Sequence, residues 1–240
     1  MRGRLLNPWL WCFIAALLVP SSLLRAGEGK GAKMAEKTAF AAKVSTLYEQ
    51  INLKDLGLSK QALAYALKGY YYLLAHHKLS RPNILSICDL SQSSRNKRLY
   101  VLDLEQKTIL INTYVAHGRN SGKEYATSFS NSASSHKSSL GFFVTEDTYF
   151  GNNGLSLKIC GMERGINDGA SRRNIVIHGS PYVGADFMQM NHFINGRSYG
   201  CPAVPQEESE TIIDAIKGGS CLFIYHPTKR YSTRSKILNT

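Results

Sequence analysis

The chain has 240 residues, a length that fits one catalytic-size domain, alone or with a small helical appendage, and excludes a multidomain machine. Hydrophobic residues make up 43% and charged residues 19%, which excludes wholesale disorder, and 20 Gly with 7 Pro exclude a collagen-like or Pro-rich polymer. Lys and Arg outnumber Asp and Glu by 29 to 17, giving a formal charge of +12 that favours anionic partners. Neither zinc-finger spacing, an RRM signature nor an evident recognition helix accompanies that charge, so nucleic acid is not the expected partner.

Residues 1–26 read as an export signal: a charged Met1-Arg2-Gly3-Arg4 start, an apolar run from Trp9 to Val19, and a small residue after Leu24-Arg25-Ala26. The run is well short of the roughly 20 residues that cross a bilayer, which disfavours an uncleaved anchor. Cleavage after Ala26 removes three arginines and no acid, and Cys12 leaves with the run. Residues 27–80 follow as a Gly- and Lys-rich mobile N-terminus and a helical segment. Phe40, Val44 and Leu47, and then Leu63, Ala66, Leu67, Tyr70, Tyr71 and Leu74, recur at helical spacing on either side of a break near Gly57. The tyrosines at 70–72 are either core or the wall of a sugar groove.

From Pro82 the texture changes. Seven short β-type runs begin at Ile84, Leu99, Thr108, Gly141, Leu155, Asn174 and Cys221, and the second and third are separated by a hairpin-length Glu105-Gln106-Lys107. The expected fold is therefore α+β, a mainly β sandwich or barrel-like domain over 81–226 with an N-terminal helical segment and a basic C-terminal tail at 227–240. Ser-rich 118–139 and polar 163–173 are long loops, which in a compact domain are usually functional or mobile. Pro205-Gln206-Glu207-Glu208 opens an amphipathic helix closed by Gly218-Gly219.

The chemistry concentrates where one strand ends in His178-Gly179 and where Ser198-Tyr199-Gly200-Cys201-Pro202 follows. A thiol with an ordinary pKa near 8.5 is little ionised at neutral pH, so a nucleophilic Cys201 needs a nearby base, and His178 is the best candidate. Gly200 permits a tight turn whose amides, at Tyr199, Gly200 and Cys201, are suited to an oxyanion. Against this stands a buried structural cysteine or half of a disulfide; four cysteines remain after position 26, at 88, 160, 201 and 221, and spacing does not pair them. The other histidines form no metal-ligand cluster, and no cofactor is expected.

The runs Arg173-Asn174-Ile175-Val176-Ile177-His178-Gly179 and Gly196-Arg197-Ser198-Tyr199-Gly200-Cys201-Pro202-Ala203-Val204 resemble the catalytic segment of the murein L,D-transpeptidase catalytic-domain family, a YkuD-like branch. Upstream, His117-Gly118-Arg119-Asn120, Phe129-Ser130-Asn131, Ser138-Ser139-Leu140-Gly141 and Gly165-Ile166-Asn167-Asp168 carry the resemblance across roughly residues 55 to 226. It implies an exported, cofactor-free enzyme of a bacterial periplasm or cell envelope, acting on peptidoglycan stem peptides. Cys201 would form a thioester with release of D-Ala, His178 would move the protons, and Tyr199 and Gly200 would belong to the oxyanion turn. With water as acceptor the same site would be an L,D-carboxypeptidase; a non-catalytic peptidoglycan-binding module is the reading from another class. The sequence departs from broader members of the superfamily, which carry His where Tyr199 stands and an Arg two residues after the Cys. Carboxylate recognition is therefore open, with Arg197 the nearest substitute and Arg172 and Arg173 behind it; Ser198, Gly179, His136 and Ser139 complete the expected substrate contacts, with His117 also near the groove.

Overall fold

The computed structural model describes the backbone from residue 21 and side chains from residue 31. The signal reading thus falls largely outside the described residues. The chain divides at Ala41/Ala42, and the second unit, residues 42–240, carries the sheet. Among the described residues no helix is long and apolar enough to cross a membrane.

Helix α1 spans Ser21–Gln50 and includes 27–36, where the Gly- and Lys-rich composition pointed to an unstructured lead-in. Helix α2 spans Lys60–Ala75 and is started by Ser59, whose side chain accepts from Ala62 N at 3.1 Å, satisfying one of the amides that every helix N-terminus leaves over. Its buried stripe is Ala62, Leu63, Ala66, Leu67, Gly69, Tyr70 and Leu73, so the stripe ends on Leu73, and Leu74 is exposed.

The strands are β1 (Ile84–Asp89), β2 (Leu99–Asp103), β3 (Thr108–Thr113), β4 (Gly141–Gly151), β5 (Gly154–Gly161), β6 (Val176–Ser180), β7 (Ala203–Pro205) and β8 (Cys221–Tyr225). They form one mixed sheet in the order β3-β2-β1-β8-β4-β5-β6-β7. β1 runs parallel to β8 and β6 parallel to β7, and the other pairs are antiparallel. β1, β2, β6, β7 and β8 are buried at every position, so they show none of the apolar–polar alternation of a half-exposed strand. The eighth strand, β7, was missing from the sequence reading. Helix α4 (Ser209–Ile216) buries Ile212, Ile213 and Ile216 after a 3-10 turn at Gln206–Glu208; α3 is the short Ala185–Met190.

The sheet is nearly a barrel because its two edges meet. Chain leaving β3 bridges to β7 at Ala116↔Ala203, with Ala116 N donating to Ala203 O at 2.8 Å, and a second bridge joins Gly118 to Ser198. Closing a sheet satisfies edge N–H and C=O groups that would otherwise face solvent. The closing residues flank the cysteine turn.

The basic tail is part of this unit. Helix α5 (Lys229–Arg234) buries Tyr231, the 3-10 turn Ile237–Asn239 buries Ile237 and Leu238, and Lys68 Nζ donates to Leu238 O at 2.6 Å. Tyr231 Oη and Ser235 Oγ both donate to the buried Glu163 carboxylate, which also accepts from Phe142 N. The segment's basic composition hid three apolar anchors, each worth roughly 1.5–3 kcal/mol when buried. Deleting 227–240 is expected to lower the melting temperature on the order of 10 °C, since 1 kcal/mol moves a chain of this size about 2–4 °C. An unchanged melting temperature in a calorimetric scan would show that the tail is not part of the fold.

Candidate active site

Strand geometry places Cys201 and His178 on neighbouring chains. His178 registers with Ala203 in the parallel β6/β7 pair, and Cys201 precedes that pair by two residues. Cys201 itself lies in the bend just before β7, and its sulfur packs against the backbone at the start of β6, the strand that carries His178. The sulfur accepts from Val176 N at 3.5 Å and donates to Asn174 O at 3.6 Å; it makes no hydrogen bond to His178. Asn174 sits in the left-handed region at φ 52°, which aims its carbonyl at the sulfur and delays the start of β6 relative to the expected run.

His178 is buried, and its Nδ1 lies 2.8 Å from Gly179 O. A carbonyl only accepts, so Nδ1 carries the proton and Nε2 is left as the acceptor. Burial lowers the imidazole pKa, and the Gly179 bond opposes that. Burial also pushes the Cys201 thiol up, against the lowering effects of the Val176 amide and the Arg173 charge. Both groups are therefore neutral at rest near pH 7.

The turn carrying the thiol is built by Ser198. Its hydroxyl donates to Cys201 O at 2.6 Å and accepts from Gly200 N at 3.0 Å, while its own amide donates to His117 O at 3.0 Å. The Gly200 amide, expected to be free for an oxyanion, is thus engaged. Gly200 has φ 125°, and a Cβ there would meet Ile175 Cδ1 and Lys137 O at 3.0 Å, so both conformation and space require glycine. Tyr199 is 65% exposed; its ring meets His136 edge-on at 4.7 Å and lies 5.5 Å from the Arg119 guanidinium carbon. His136 is thereby brought to the site through Tyr199.

Arg173 is the cation beside the thiol. Nη1 donates to Ser130 O at 2.8 Å and Ser139 Oγ at 2.5 Å, and Nη2 donates to Lys137 O at 2.7 Å and Ser135 Oγ at 3.3 Å. These neutral acceptors occupy its donors without cancelling its charge, and no described carboxylate pairs with it. Its role is to hold the 130–139 loop around the cysteine turn.

Other expected contacts are placed differently. Ser139 is buried between Arg173 and Ser130 O, so its hydroxyl is enclosed and not presented to a ligand. Gly179 packs on α4: a Cβ would come within 2.7 Å of Ser209 Oγ. Arg197 is exposed and donates to Arg119 O at 3.2 Å and Gly122 O at 3.1 Å. His117 is fully buried with its pKa lowered to about 4, first by burial and then by Arg98, whose Nη2 lies 2.9 Å from His117 Nδ1. Arg98, itself fully buried, also donates to Val115 O and Gln92 O and so props the chain segment that closes the sheet behind the turn. The sequence reading did not find this pair, because an Arg in Asn96-Lys97-Arg98 reads as surface.

Cys88, Cys160 and Cys221 are free, as is Cys201. Cys160 and Cys221 register with the same Val144 from opposite sides, about 10 Å apart by strand spacing, too far for a disulfide. Burial pushes the Cys88 thiol up to about 12 and raises Cys221 as well. No group of three or more His, Cys, Asp or Glu able to hold a metal occurs among the described residues.

A family model described as L,D-transpeptidase catalytic domain matches residues 54–225. Solved structures similar in fold include L,D-transpeptidase 3 from Mycobacterium tuberculosis (9% identity, 60% of this chain and 61% of that one, TM-score 0.39) and an L,D-transpeptidase from Mycobacterium smegmatis (10%, 60% and 59%, 0.37). Another is a fused Zn-dependent amidase/peptidase/peptidoglycan-binding domain-containing protein from Clostridium acetobutylicum (14%, 65% and 61%, 0.37). The chain spans about three fifths of the length of these solved chains. No curated protein matches it. With the family model covering well over half of its length, the chain belongs to the L,D-transpeptidase catalytic-domain family.

Proposed function

We propose that the protein is a peptidoglycan L,D-transpeptidase of the cell envelope in which Cys201 is the nucleophile and His178 the general base. The observation that carries the reading is a partly exposed thiol packed on the start of the strand that carries a buried imidazole, whose Nδ1 proton is held by Gly179 O. With Nδ1–H committed, Nε2 takes the thiol proton as sulfur attacks the carbonyl between the third stem residue and the terminal D-Ala. Negative charge then collects on the carbonyl oxygen. With the Gly200 amide engaged by Ser198, the amides of Tyr199 and Cys201 are the turn's remaining donors for it. Collapse breaks the C–N bond, the leaving amine of D-Ala takes the proton from His178, and the thioester remains. An incoming stem amine attacks that thioester, passes its proton to His178, and the thiol is reprotonated as it leaves.

Incubation with tetrapeptide muropeptides is expected to release D-Ala and yield cross-linked dimers, read by chromatography and mass. Shortened stems alone would make the enzyme an L,D-carboxypeptidase, and no change in the muropeptides would sink the catalytic reading. The neutral resting pair sets the pH profile. Because the folded imidazole pKa is lowered from its ordinary 6.5, the base stays unprotonated below that pH and is lost only as pH falls further. The acid limb of kcat/KM is therefore expected below pH 6.5; a limb at 7 or above would assign the base to another group.

A further inference from the structure

A polar cleft of about 510 Å³ lies between the 127–140 loop, the turn at Gly165-Ile166 and helix α5. Its cations are Lys137, Arg230 and Arg234, and no acidic side chain lines it. Their hydrogen-bonding capacity is largely unused. Lys137 Nζ donates to Ser128 Oγ at 2.7 Å, Arg234 makes one long bond of 3.4 Å to Gly165 O, and the exposed Arg230 side chain has no hydrogen bond or ion pair among the described residues. One acid, Asp168, stands at the rim and sets a single negative charge against the three cations. Asp168 accepts from Asn131 and Gly165 N, and Glu163 lies buried under Tyr231 with hydroxyl and amide donors.

The cleft and the thiol share a wall. Lys137 lines the cleft with its side chain, while its carbonyl accepts from Arg173 and packs on Gly200; Ser130 lines the cleft while its carbonyl accepts from the same arginine. An extended tetrapeptide reaches roughly 14 Å. We propose that this cleft is a carboxylate-binding subsite for the non-reacting part of a peptide acyl donor whose scissile carbonyl lies at Cys201, with Arg230, Arg234 and Lys137 as its cations. Guanidinium groups grip carboxylates in bidentate fashion, and three cations against one rim carboxylate leave the cleft net positive until ligand arrives. The assignment rests on the peptide-substrate reading above. It also gives the basic C-terminal segment, which carries Arg230 and Arg234, a role at the site.

The test measures binding by calorimetry on the full chain carrying Cys201→Ala, so that no turnover intervenes. The ligands are a stem tetrapeptide with free carboxylates and the same peptide with its non-terminal side-chain and α-carboxylates amidated. The free acid is expected to bind at least tenfold more tightly than the amide, with the difference lost in Arg230→Gln/Arg234→Gln and reduced by salt. Equal affinities for the two peptides in the unsubstituted cleft would overturn the proposal without any change to the protein. So would inorganic phosphate displacing the peptide at comparable concentration, which would make the cleft a general anion site. Should the arginine-dependent binding hold while the unsubstituted enzyme forms no acyl adduct, the thioester reading falls and the subsite stands.

Discussion

Cys201→Ala is expected to abolish acyl-adduct formation and to reduce turnover by at least about 10⁴-fold, in line with removal of a nucleophile from other covalent catalysts. The other thiols cannot substitute. Cys88 and Cys221 lie wholly inside the β1/β8 region of the sheet with raised pKa values, and Cys160 is in β5, paired to Val144. Intact-mass measurement after exposure to a carbapenem or a tetrapeptide, followed by peptide mapping, should find one adduct, on Cys201, and none in the variant. Removing the thiol costs little in fold, because the turn is held by Ser198 and by the Ala116–Ala203 bridge. Equal melting temperatures therefore accompany the lost adduct. An adduct on Cys160, or retained turnover in the alanine variant, would refute the assignment. Cys201→Ser separates size from chemistry: a hydroxyl ionises far less readily than a thiol, so the serine variant is expected to fall near the alanine one.

The parts of the fold that could be read ahead were those whose side chains report their own surroundings. Strands such as Ile84–Asp89 and Cys221–Tyr225 are buried on both faces and therefore appear as mostly apolar runs, and the β2–β3 turn shows as a hairpin-length polar gap. β7 escaped because three residues, Ala203–Pro205, carry no periodicity; the strand exists through its ladder with β6 and the bridge to Ala116. The cysteine turn and His178 were legible as a pair of chemistry-bearing residues beside glycines. What surrounds them was not. Arg173 reaches acceptors 34 to 43 residues away, and Arg98 meets His117 from across the sheet closure, so only the folded topology reveals which guanidinium is held near the sulfur and which is buried behind it. Composition likewise placed the basic tail outside the domain, since four cations between Lys229 and Lys236 outweigh the one tyrosine among them that anchors to Glu163.

Arg173 carries the second large effect, and its two functions can be separated by substitution. As a charge it lowers the thiol pKa against the upward push of burial; as a planar fork it ties Ser130, Ser135, Lys137 and Ser139 into one loop around the turn. Arg173→Gln removes the charge and leaves the Ser130 and Lys137 carbonyls short of a donor. Its expected effects are an upward shift in the pH midpoint of Cys201 alkylation, a fall in acylation rate of roughly 10- to 100-fold, and faster amide exchange through 130–139. Arg173→Lys keeps the charge but lacks the fork, so the alkylation midpoint should stay near that of the parent enzyme while loop exchange still quickens. If the loop alone mattered, both variants would lose acylation equally with no change in midpoint; if charge alone mattered, lysine would restore both rate and exchange. A glutamine variant with the parent midpoint and the parent rate would remove Arg173 from the chemistry altogether, and the burial of the sulfur would then have to be offset by the backbone amides of Val176 and Cys201.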